Sequence, residues 1–148
     1  MFRYFLTLIL IVSIAASPMF GEALLSRSQS ETTREASLSP QAIPVFNFLK
    51  AAETGDVELY KSTLSQKALN DLEASGMMAA GEANFAAFMK ENRKLWFKEL
   101  EELKLSSLQY VYKGKKRSGR VLIFNHGQKL SEVLVVLEKG HWKIHTKE

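Results

Sequence analysis

LQYVYKGKKRSGRVLIFNHGQKLSEVLVVLEKGHWKIHT, residues 108–146, decides the fold. At its two ends the apolar period is two, as in strands whose successive side chains point to opposite faces. Leu108, Tyr110 and Tyr112 alternate with Gln109, Val111 and Lys113. Gly114 to Gly119 (GKKRSG) reads as a basic turn, and Arg120 to Asn125 (RVLIFN) as the returning strand. His126-Gly127 turns the chain into a third strand, Leu130 to Glu138, and Lys139-Gly140 turns it into a fourth, His141 to Thr146. Loops this short fit an antiparallel meander.

Upstream the period lengthens to that of a helix. Val45, Phe48, Leu49 and Ala52 fall at i, i+3, i+4 and i+7. Ser39-Pro40 resembles a helix start, with Ser as cap, but Pro44 moves the true start to about that residue. Gly55 is placed to end this helix and Asp56 to cap a short one carrying Val57, Tyr60 and Leu64. Ser65 restarts the chain, with Ala68, Leu69 and Leu72 as a stripe that Gly76 ends. Met77 to Gly81 (MMAAG) reads as a packed turn or a short helix. Asn84 is then expected to cap the longest helix, with Phe85, Phe88, Met89, Asn92, Trp96, Leu100 and Leu103 on one face. Aromatic residues at helical spacing are read as core rather than as a cofactor box. Helices followed by strands predict an α+β fold: three N-terminal helices packed on a curved four-stranded antiparallel sheet, cone-shaped overall.

The first residues read as an address. Arg3 precedes Tyr4 to Ala16 (YFLTLILIVSIAA), an apolar run of about 13 residues, shorter than the ~20 needed to span a bilayer. Gly21-Glu22-Ala23 offers small residues for cleavage after Ala23, with Ser13-Ile14-Ala15 as a second possibility. The expectation is a signal peptide over residues 1–23, a Ser- and Glu-rich linker over 24–39 and one domain over 40–148. The protein is therefore expected to be exported, periplasmic or secreted; the competing reading is a retained N-terminal anchor. The chain is 148 residues long, enough for one domain. It has no Cys, which excludes disulfides, thiolate metal sites and cysteine nucleophiles.

The formal charge of +4 is unevenly spread. From Leu24 to Leu103 there are 9 basic and 12 acidic residues, and from Lys104 to Glu148 there are 10 basic and 3 acidic. The strand half is thus clearly basic, which suits an anionic surface or ligand; the competing reading is a solvated basic face. Its densest part is Lys113, Lys115, Lys116, Arg117 and Arg120, which either meets an anionic partner or protects strand edges from pairing. Nucleic acid is not expected as a partner of an exported chain.

FLKAAETGD (Phe48 to Asp56) and GHWKIHT (Gly140 to Thr146), in this order of helices and hairpin-linked strands, resemble the nuclear transport factor 2-like superfamily. Within it the chain looks most like small secreted domains described as lumazine-binding-like. The resemblance spans roughly Pro40 to Glu148. It implies a cone in which helices close one side of a bent sheet and leave a pocket at the wide end. Members include ketosteroid isomerases, polyketide cyclases and many accessory domains without catalysis, and the enzymes use an interior Asp, often with Tyr or His. The strands of this chain contain no matching Asp.

Tyr60, Trp96, Tyr110, Tyr112 and Glu132 are the candidate ligand-binding residues. The tyrosines can lend hydroxyls to a ligand, or serve as amphipathic core. Glu132 lies within the apolar body of a strand, as either a buried base or a solvated carboxylate. His141 and His145 sit four apart on a strand, about 13 Å, too far to share a metal ion. His126 lies in a turn, and no phosphate loop or nucleophile elbow is present. No metal, cofactor or catalytic residue is expected. The function expected is an exported non-catalytic domain that binds a small apolar ligand or an extracytoplasmic protein in its cone, with a second copy of the chain (a homodimer) as a further partner reading. The alternative is a lyase or isomerase with a pocket acid–base residue.

Overall fold

The computed structural model describes residues 38–96 and 104–147, without the side chains of residues 92–96. The segment expected to be a signal peptide, most of the expected linker, residues 97–103 and the Trp96 side chain lie outside the described part. The chain is α+β: helices α1 (Ile43–Thr54), α2 (Val57–Ser62), α3 (Gln66–Ala74) and α4 (Glu82–Trp96) precede a 3-10 turn at Leu105–Ser107. Strands β1 (Leu108–Gly114), β2 (Ser118–Asn125), β3 (Gln128–Glu138) and β4 (His141–Ile144) follow. They form one antiparallel sheet in the order β1-β2-β3-β4.

Among the described residues four helices, not three, lead into the sheet: the short segment after Gly55 and the segment restarted at Ser65 each count as a helix of their own. Asp56 Oδ1 accepts from Leu59 N at 2.9 Å and fixes the α2 N-terminus. Immediately before it, Gly55 closes α1 at φ 75°, with its N–H on Ala51 O at 2.8 Å. The start of α1 is at Ile43 and Pro44 takes its first turn, where a missing N–H costs nothing. Ser39 does not cap it through its side chain; its carbonyl accepts from Ala42 N and Ile43 N in a preceding turn. Asn84 does not start α4 either. The helix begins at Glu82, and Asn84 Nδ2 donates back to Ala80 O at 2.7 Å.

The apolar stripes find each other. Val45, Phe46, Phe48 and Leu49 of α1, Leu72 of α3, and Phe85 and Met89 of α4 share one core with Leu108, Val121, Ile123, Val133, Val135 and Ile144 of the sheet. Removing buried side chains of this size costs about 2–5 kcal/mol each, so this contact is the main source of stability. Phe88, expected on the same stripe, is 38% exposed and stacks on Phe85 with centroids 6.1 Å apart. Met77 and Met78 sit in a run of turns and pack against the core.

Both two-residue hairpin turns have positive φ at their two central positions: His126 (47°) with Gly127 (81°), and Lys139 (50°) with Gly140 (84°). That geometry matches the twist of the strands it joins. The β2–β3 register shifts between Ile123 and Phe124: Ile123 opposes Ser131 while Phe124 opposes Lys129, so Leu130 is an extra residue in β3. A further tie closes the sheet against the helices. Ser65 N donates to Ile144 O at 2.8 Å and Ile144 N to Thr63 O at 2.7 Å.

Candidate functional site

The pairing registers assign each strand residue to a face. Leu108, Tyr110, Tyr112, Val121, Ile123, Asn125, Val133, Val135, Trp142 and Ile144 share the face turned to the helices. Most of these are fully buried, but Tyr110, Tyr112, Asn125 and Trp142 are half-buried. Tyr110 meets Phe46 of α1 edge-on, with ring centroids 6.3 Å apart. Tyr112 meets Trp142 at 5.4 Å, also edge to face. The Tyr112 hydroxyl donates to Lys115 O at 2.5 Å. It lies so close over the facing Gly114–Gly119 pair that a Cβ at Gly119 would come within 2.6 Å of it. Two glycines opposite each other thus make the bed for one aromatic ring.

Asn125 adds the polar element. Its Oδ1 is buried and has no hydrogen-bond partner among the described residues. An unpaired buried amide oxygen costs about 1–3 kcal/mol, so this is a position where a bound donor would be favoured. Asn125 was not among the residues singled out from sequence, since it reads there only as a strand end before a turn.

The four candidate residues with described side chains do not come together in one place. Tyr110 and Tyr112 share the helix-facing side of β1. Tyr60 belongs to the helical layer: it is buried against Phe48 at 4.7 Å and Phe85 at 5.4 Å, and burial pushes its phenol well above the usual range. Glu132 lies on the opposite face of the sheet, across from Leu122. There its carboxylate bonds Lys129 Nζ and Arg120 Nη1, each at 2.7 Å. The hydrogen bond from Lys129, with the positive charge of Arg120 beside it, holds its pKa below the usual carboxylate value. Lys129 and Glu132 are three apart, which in a regular strand would put them on opposite faces. The extra residue Leu130 brings them to one face.

A second polar cluster joins the C-terminal strand to α3. Ser65 Oγ caps α3, accepting from Ala68 N at 3.2 Å, and is hydrogen-bonded to His145 Nδ1 at 2.9 Å. Nearby, Thr146 Oγ1 donates to Asp71 Oδ2 at 2.6 Å, and Lys67 Nζ donates to the same oxygen at 3.0 Å. These bonds, Thr146 foremost, lower the Asp71 pKa. Serine, histidine and aspartate in proximity suggest a nucleophilic triad, but the geometry is that of a clasp. Ser65 has no exposed surface and is committed as a helix cap, and Asp71 is bonded to Thr146 and Lys67. A triad instead needs an accessible nucleophile and an acid that orients the histidine. Partners about 80 residues apart gave no sequence signal.

The basic residues fall at one end of the sheet and along its outer face. Lys113, Lys115, Lys116 and Arg117 are exposed and make no ion pair among the described residues, whereas Arg120 is tied to Glu132. His141 is exposed. Among the described residues, no three His, Asp or Glu side chains group closely enough to hold a metal ion. No described helix is long and apolar enough to cross a membrane. Compared with protein-family models and with curated proteins, the sequence matches none.

Proposed function

We propose that this is an exported, non-catalytic binding domain of the nuclear transport factor 2-like kind, with a small apolar ligand or an extracytoplasmic protein held between the helices and the sheet. The carrying observation is the half-buried row Tyr110, Tyr112 and Trp142 on the helix-facing side, with the unpartnered Asn125 Oδ1 on the same face beyond Tyr110, towards the β2–β3 turn. A mostly apolar lining with one convergent polar group is the usual chemistry of a small-molecule site. The 5.4 Å contact between rings of the two edge strands supports a curved, cone-like sheet, because β1 and β4 of a flat sheet would lie about 14 Å apart.

The alternative, a lyase or isomerase, requires an acid–base group facing the ligand. Among the described strand residues, the helix-facing positions carry no carboxylate. The two strand carboxylates are otherwise engaged: Glu132 with Arg120 and Lys129 on the far face, and Glu138 accepting from Gln66 N at 3.1 Å. Native mass spectrometry of protein recovered from its own compartment tests the proposal. A co-purifying apolar molecule of defined mass is expected; turnover of a ketosteroid or polyketide substrate by the pure protein would favour the alternative.

A further inference from the structure

Two turns lie side by side at one end of the sheet. The β1–β2 turn holds Lys115, Lys116 and Arg117, the β3–β4 turn holds Lys139 and Gly140, and Leu137 N donates to Arg117 O at 2.7 Å between them. Lys113, Lys115, Lys116, Arg117, Lys139 and His141 are all exposed there. No ion pair joins any of these to a carboxylate among the described residues. The acid nearest in register, Glu138, is spent on the Gln66 N–H at the start of α3. The four lysines and one arginine at this end, left without counter-charges, repel one another, and an anionic partner relieves that repulsion. Behind them, half-buried, stand Tyr112, Trp142 and Leu137.

We propose that this end of the sheet is a docking surface for an anionic lipid bilayer. Resting on the exported reading above, the domain meets a membrane as its nearest extended anion. The geometry favours a surface over a strand of nucleic acid. The cations sit on two adjacent turns, and the aromatics at this end stand half-buried behind them on the helix-facing side, so no exposed ring lies among the cations for base stacking. Contact through turn lysines with no large exposed apolar side chain among them is electrostatic and reversible, so it must weaken steeply with salt. Each cation near an anionic bilayer strengthens binding about fivefold, so the three tip residues together account for roughly a hundredfold.

The test is co-sedimentation of the full chain with phosphatidylcholine vesicles and with vesicles containing phosphatidylglycerol. The leader carries Arg3 and the N-terminal amine and favours anionic vesicles by itself, so the readout is the part of the preference that substitution of the turn residues removes. Expected is a preference for the anionic vesicles that disappears at high salt. It should fall at least tenfold in the K115Q/K116Q/R117Q variant, whose unchanged thermal melting would show an intact fold. Equal binding to both vesicles, or a variant whose preference matches the wild type's, overturns the proposal. Tighter binding to double-stranded DNA than to anionic vesicles at the same salt overturns it in favour of a nucleic-acid surface. None of these results bears on the ligand reading, which is measured without lipid.

Discussion

Tyr112 and Trp142, carried by the two edge strands of the sheet, meet edge to face with ring centroids 5.4 Å apart. The contact depends on the facing glycines Gly114 and Gly119, over which the Tyr112 hydroxyl lies on its way to Lys115 O. From it follow the proposed curvature of the sheet and the proposed place of a ligand.

Gly119→Ala should therefore disturb the aromatic pair before anything else. Its Cβ would meet the Tyr112 hydroxyl at 2.6 Å and backbone atoms of Lys113 and Gly114 at 2.7 Å. The two backbone contacts cannot be relieved by a rotamer change, so a loss of about 1–3 kcal/mol is expected in urea unfolding. Gly127→Ala is the control: nothing lies within 4 Å of its Cβ, and only its positive φ penalises the change, by about 1 kcal/mol.

Acid should weaken the fold through two carboxylates. Asp71 and Glu132 both have pKa values lowered by their partners, so the native state binds fewer protons than the unfolded chain as pH falls. Their contribution is complete above their ordinary values, 3.8 and 4.5, and is lost as pH falls through the lower native values. Wild-type stability should drop below about pH 4.5, and D71N/E132Q should show a flatter profile over the same range, by chemical denaturation at stepped pH.

Glu132→Gln tests the placement of Glu132 outside the ligand site. It removes a partly exposed pair of ion pairs on the face away from the helices, so stability should change by about 1 kcal/mol or less. Affinity for an apolar ligand should be unchanged. A loss of ligand binding or of turnover would place Glu132 in the site.

Ser65→Ala should cost more than a surface cap. It removes the acceptor for Ala68 N and the partner of His145 in a fully buried position, so about 1–2 kcal/mol of stability should be lost, with no effect on ligand affinity. Thermal melting and a binding titration on the same variant check both halves.

The α+β order and the four-strand meander were legible because β1 and β4 alternate, β2 and β3 are short apolar runs rich in branched residues, and each turn carries its own glycine. Local caps were legible in part. Asp56 and Gly55 act where the pattern places them, while Asn84 looks like a cap and lies inside the first turn of α4, because the chain enters that helix earlier through Gly81. The facing of Glu132 was not legible: strand parity alone cannot register the extra residue at Leu130, and facing also depends on which side the helices cover. Nor was the Ser65–His145 clasp, whose partners meet only after the whole sheet has formed.

Energy transfer from Trp142 tests the central claim most directly. In a Trp96→Phe background Trp142 is the remaining tryptophan, at the edge of the proposed site. Titration with the neutral apolar probe N-phenylnaphthylamine should give saturable transfer that Tyr110→Ala and Tyr112→Ala weaken about tenfold or more, as expected when a site loses buried aromatic surface. Absence of saturable transfer, or transfer that ignores both substitutions, would contradict an apolar site on the helix-facing side of the sheet.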